Sequence, residues 1–157
     1  MIEIIDNWLS DKLSEFLKDC YLYNTPHFYG HTSNPGADQI PFYQNYCPDD
    51  ALHAYLFYNV SQTINKNLKP VRSYINVQHQ HMDGSFHKDD GETTILYMVT
   101  QTLDKGIGCL EFEDGEKVDF VQNRLVWFDA SRMHRGNAPN TITPRITLAF
   151  KTFVEKV

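Results

Sequence analysis

The chain has 157 residues, 41% hydrophobic and 13% aromatic, enough to bury one sizeable core, and it reads as a single domain over residues 1–157. Fourteen Lys and Arg against twenty Asp and Glu give a net charge of −6, which argues against general nucleic-acid binding, because phosphate contacts need clustered cations. No window reaches eighteen apolar residues, and the start Met1-Ile2-Glu3-Ile4-Ile5-Asp6 lacks the basic lead of a signal peptide, so the expectation is a cytoplasmic protein without membrane contact.

After the apolar start at Ile2, Ile4 and Ile5, Ser10 can cap a helix over 10–19, in which Leu13, Phe16, Leu17 and Cys20 recur at helical spacing. From Tyr21 to Pro48 aromatics are mixed with turn residues such as Asn34-Pro35-Gly36, and the length of this segment suggests a lid or binding loop. Asp49 can cap a second helix over 50–66, with Leu52, Leu56, Val60 and Ile64 on its apolar stripe and Pro70 beyond its end. The three cysteines, Cys20, Cys47 and Cys109, contain no Cys-x-x-Cys and suggest neither disulfides nor a thiolate zinc site.

From Val71 the period changes to two. Strands are expected around 72–78, 93–100, 108–112, 117–121, 124–128 and 145–150, with a hairpin turn at Asp114-Gly115. The fold class is mainly β with N-terminal helices (α+β): residues 1–69 form helical support and a loop region, and 70–153 a double-stranded β-helix, the cupin-like jelly roll.

Within that core lies Phe86-His87-Lys88-Asp89-Asp90. A His-x-Asp alone carries little weight, since roughly 0.6 such tripeptides are expected by chance in this composition. Forty-five residues separate Asp89 from His134, and the strands in that gap suffice for a jelly roll to return beside its start. Two neutral imidazoles and one carboxylate make the 2-His-1-carboxylate set, which leaves about half of an octahedral iron(II) shell open. His87, Asp89 and His134 fit that role. Arg145, eleven residues after His134, opens the last strand, and its planar fork suits a buried carboxylate. Thr147 shares its face by the period-two rule.

In this order, Gly84-Ser85-Phe86-His87-Lys88-Asp89-Asp90, Leu96-Tyr97-Met98, Gly108-Cys109-Leu110-Glu111-Phe112, Arg124 to His134 and Pro144-Arg145-Ile146-Thr147 resemble the 2-oxoglutarate- and iron(II)-dependent oxygenases, above all the prolyl 4-hydroxylase-like branch with its small phage and bacterial members. The resemblance covers about Val71 to Phe150. It implies catalytic metal ligands at His87, Asp89 and His134, and an anchor at Arg145 for the far carboxylate of 2-oxoglutarate. It also implies a co-substrate hydroxyl at Tyr97, an apolar pocket residue at Leu110, and Gln78 where many relatives carry a tyrosine. The implied cofactors are Fe(II), 2-oxoglutarate and O2, with ascorbate as a reductant. The implied reaction is hydroxylation, with succinate and CO2 as co-products, of a prolyl residue in a peptide or protein substrate.

Alternatives are the same chemistry on a free amino-acid-like small molecule, the same chemistry on a nucleobase, which the negative charge disfavours, and a non-catalytic jelly-roll binding module. His27, His31 and His53 read as surface or hydrogen-bonded residues. His79 and His81 read as exposed strand residues, because the cupin pattern would need a glutamate where Ser85 and Phe86 stand. Arg124, Asp129 and Arg132 are candidates for the substrate mouth. The pattern leaves substrate and oligomeric state open.

Overall fold

Ser10 accepts a hydrogen bond from the Leu13 amide and opens α1 (Asp11–Tyr23), while the Asn24 amide closes it on the Cys20 carbonyl at 2.9 Å. The helix runs past the expected end at Asp19 because Tyr21, one turn beyond Leu17, continues the buried stripe; both are 2% exposed or less. The computed structural model describes residues 1–37, 39–46 and 51–155, so the expected Asp49 cap lies outside the described residues. Helix α2 (Ala51–Ile64) buries Leu56 and Val60. It stops at Asn65, whose φ of 53° is left-handed, and not at Pro70, which sits inside a strand beside a register shift where a proline is tolerated.

In chain order the strands are β1 (Ile2–Ile5), β2 (Phe28–His31), β3 (Phe42–Tyr46), β4 (Leu68–Gln78), β5 (Thr93–Met98), β6 (Leu110–Phe112), β7 (Lys117–Val118), β8 (Arg124–Asp129), β9 (His134–Gly136) and β10 (Arg145–Val154). Seven form an antiparallel sheet ordered β1-β8-β5-β10-β4-β3-β2, and three form a smaller one ordered β7-β6-β9. This is the expected jelly roll. The N-terminal region gives more than support: β1 pairs with β8, and the segment read as a loop carries the β2–β3 hairpin, which extends the large sheet from β4.

Period-two alternation sorts the large sheet into two layers. Ile75, Val77, Ile95, Tyr97, Leu125, Ile146, Leu148 and Phe150 face the helices and pack with Leu17, Leu56 and Val60. Leu96, Met98, Val126, Phe128 and Ala149 face the small sheet and meet Leu110, Phe112 and Phe120. Each fully buried side chain of this size contributes roughly 1.5–3 kcal/mol. No described helix is long and apolar enough to cross a membrane.

Candidate metal centre and anion pocket

His87 and His134 face each other across an isolated antiparallel bridge whose two backbone hydrogen bonds are both 2.9 Å. Asp89 is fixed by its amide, which donates to the Ala130 carbonyl at 3.0 Å. Each ring is also held from behind: His87 Nδ1 lies 2.9 Å from the Ser85 carbonyl and His134 Nδ1 2.8 Å from that of Arg132. A carbonyl only accepts, so both Nδ1 atoms carry a proton and each Nε2 is the atom turned to the site. Both Nε2 atoms converge on Asp89, that of His87 3.6 Å from Oδ1 and that of His134 3.1 Å from Oδ2. The three ligand atoms lie within 4.8 Å of one another, the right chemistry and spacing for one divalent ion.

Two more groups reach Asp89: Thr94 Oγ1 donates to Oδ2 at 2.7 Å, and the Lys151 ammonium donates to the same oxygen. Burial pushes the Asp89 carboxyl up, but Lys151 and His134 outweigh it and hold it well below the usual carboxylate range. Burial, then the neighbouring His134, pulls the His87 imidazole down, which keeps it neutral and able to ligate.

The second feature is a buried cation without an anion. Arg145 is 3% exposed, donates from Nε to the Gly108 carbonyl and from Nη1 to Gln78 Oε1, both at 2.7 Å, and lies against the Phe120 ring. Among the described residues no carboxylate bonds to it, and burial lowers its guanidinium to about 10. Gln78 is pinned in turn, its Nε2 donating to the carbonyls of Met82 at 2.7 Å and Gly136 at 2.9 Å. Gly136 gives the fork its room: a Cβ there would stand 3.1 Å from Nη1 and 3.2 Å from Nη2.

One cavity of about 490 Å³ joins the triad to Arg145, and Gln78, Leu110 and Thr147 line it. Thr32 to Pro35, after β2, form part of its wall. The amide of Ser85 donates to Ser33 Oγ at 3.2 Å and to Gln39 Oε1 at 3.0 Å, while Asn34 Nδ2 donates to the Phe86 carbonyl at 2.9 Å. Gly84 lies so close beneath that a Cβ would meet Ser33 Oγ at 3.0 Å.

Tyr97 is a correction. Its neighbours Leu96 and Met98 face the jelly-roll interior, so parity turns Tyr97 toward the helices, where its hydroxyl meets Ser14 at 3.2 Å and Asn123 at 3.3 Å and Trp8 packs on its ring. Burial raises its phenol to about 12. Nor do the three expected mouth residues line the cavity. Arg124 pairs with Asp6, Arg132 with Asp114 and Glu116, and Asp129 caps the Ser131 amide. His79 and His81 are exposed, but they lie beyond the end of β4 and not in a strand, His81 with a left-handed φ of 68°. Residues that the sequence reading passed over do line it: Lys151, Arg72, Tyr74, Asn76 and His31. The overlooked signal was parity, since Lys151 stands six residues after Arg145 on the same strand face.

No protein-family model and no curated protein matches the sequence. Solved structures do match. A prolyl hydroxylase from Trichoplax adhaerens, in complex with a hypoxia inducible factor oxygen degradation domain peptide fragment, aligns with a TM-score of 0.76 at 17% identity over 97% of this chain and 83% of that one. The fold is that of the 2-oxoglutarate-dependent oxygenases. A viral collagen prolyl hydroxylase from Paramecium Bursaria Chlorella virus-1, in complex with 2-oxoglutarate, shares this oxygenase fold at a TM-score of 0.69 and 12% identity, over 96% of this chain and 94% of that one. So does HygX from Streptomyces hygroscopicus with nickel and 2-oxoglutarate bound, at a TM-score of 0.74 and 10% identity, over 95% and 81%.

Proposed function

We propose that the chain is an iron(II)- and 2-oxoglutarate-dependent dioxygenase that hydroxylates its substrate, with succinate and CO2 as co-products. The observation that carries this is one cavity with a two-histidine, one-carboxylate set on its wall and a buried guanidinium at its end that no described carboxylate meets. His87, Asp89 and His134 would hold the metal, and Arg145 would take the far carboxylate of 2-oxoglutarate. When bound, the metal supplies activation of O2 coupled to decarboxylation of the co-substrate. The rest belongs to the chain's own residues. Carbonyls behind both imidazoles fix their lone pairs, and Thr94 and Lys151 hold Asp89 Oδ2, turning Oδ1 to the ligand side. Gln78 aims the guanidinium, Thr147 adds a hydroxyl to the wall, and Leu96 and Leu110 keep the site dry.

The likeness to prolyl hydroxylases, one of them in complex with a peptide fragment, supports a prolyl group of a peptide as the substrate. The segment after β2, tied to Ser85 and Phe86 along the cavity wall, favours a second reading, a free small molecule, because it takes up part of the cavity's rim. The test is incubation with iron(II) and 2-oxoglutarate under air, followed by succinate, with 2-oxoglutarate binding measured separately by calorimetry. Succinate is expected, and His87→Ala is expected to lower nickel(II) affinity by at least about a hundredfold. Absence of both succinate and 2-oxoglutarate binding would end this reading.

A further inference from the structure

At the opposite end of the cavity from Arg145 the wall turns basic. Lys151 is 2% exposed and lines the cavity. Its direct cross-strand partner on β4 is Arg72, which lines the cavity too. The Tyr74 ring lies beneath both cations, at 5.5 Å from each. Arg72 reaches Asp90 with Nη2 at 3.2 Å, but its Nε is buried and has no hydrogen-bond partner among the described residues. Burying a lysine is costly, and burying an arginine N–H without an acceptor costs roughly 1–3 kcal/mol. Asp89 answers the lysine in the empty site, but nothing described answers the Arg72 Nε.

In the metal-free chain Lys151 is balanced by Asp89. That balance changes when the site is filled. With a divalent ion on the three ligands, one carboxylate of 2-oxoglutarate at the ion and the other at Arg145, the charges of the ion, Asp89, Lys151 and the near carboxylate leave one positive charge unmatched. An ammonium has three donors; Asp89 takes one and the Tyr74 hydroxyl another, which leaves one to offer. The unfilled requirement at this end is therefore an anionic oxygen acceptor on the second substrate.

We propose that Lys151, backed by Arg72, binds a free carboxylate of the substrate, so that the molecule oxidised is a small carboxylic acid of the unblocked amino-acid kind and not an internal residue of a peptide. This rests on the oxygenase reading above and deepens it. Arg145 and the triad take the co-substrate, and the Lys151 end takes the acid.

The experiment pairs each of the twenty free L-amino acids with its primary amide, and adds a proline-containing decapeptide blocked at both ends. Binding is read by calorimetry on protein loaded with nickel(II) and 2-oxoglutarate, and turnover by succinate release and product mass with iron(II). At least one acid is expected to bind and to be oxidised, with its amide at least about thirtyfold weaker. Lys151→Met should erase that preference and Lys151→Arg should keep most of it. The acid–amide comparison on the unaltered protein decides the matter even if Lys151→Met does not fold. Equal binding of acid and amide, binding of none of the acids, or a decapeptide that binds better than every acid would overturn the carboxylate proposal while 2-oxoglutarate binding leaves the oxygenase reading standing. Loss of 2-oxoglutarate binding in the unaltered protein would instead bring down the reading beneath it.

Discussion

Strand β10 carries two buried cations on one face, and they live under opposite conditions. Arg145 sits among neutral partners, the Gly108 carbonyl and the Gln78 amide oxygen, and its charge is answered by no described carboxylate. Lys151, six residues on, is joined to Asp89. A cation kept in the dark without an anion marks a place prepared for one. A cation already paired with a metal-ligating carboxylate marks a place whose balance shifts when the metal arrives.

The contrast can be broken most sharply through stability. Lys151→Met leaves the Asp89 carboxylate buried without its ammonium, so the metal-free protein should lose about 3 kcal/mol in urea unfolding, and nickel(II) should restore a large part of it. If the metal restores nothing, Asp89 is not its ligand. Arg145→Met should behave in reverse: unfolding stability stays level or rises, because an uncompensated charge leaves the interior, while 2-oxoglutarate binding weakens by about 2–5 kcal/mol in calorimetry. Equal stability losses in the two variants would show that both cations are structural.

Acid reads the same difference with a smaller effect. Despite the opposing push of burial, Lys151 and His134 hold Asp89 below its unfolded value of about 3.9, so the unfolded chain takes up that proton first and the folded state loses stability as pH falls below about 4. The urea midpoint should fall over that range, and less steeply in Lys151→Met. Smallest is Tyr97→Phe, which removes the weak bonds to Ser14 and Asn123; about 1 kcal/mol of stability should be lost, with 2-oxoglutarate affinity unchanged. A fall in that affinity would return Tyr97 to the co-substrate.

What could be read from the sequence followed how local its cause was. His87 and Asp89 are two residues apart on extended chain, and Arg145 and Thr147 share a face by alternation, so the anion end and two of the three ligands were visible in spacing alone. Alternation applied one step further would have placed Lys151 inward, but a lysine at the end of an apolar strand reads as exposed because its partner, Asp89, is 62 residues away in the chain. Tyr97 failed for the converse reason: a family match was accepted where parity with Leu96 pointed the other way. The β2–β3 hairpin was hidden because its pairing with β4 is long-range, and its aromatics are interrupted by Pro, Gly and Asn.

Gly136 carries a consequence of another kind. The floor of the Arg145 chamber is a hydrogen atom, and one methyl group placed there would crowd Nη1, Nη2 and the Gln78 oxygen at once, each within 3.2 Å. No charge would change and the imidazoles of the triad would keep their backbone anchors. Chemistry at this site thus depends on an unfilled volume as much as on any side chain, and the least conspicuous residue of β9 is its narrowest tolerance.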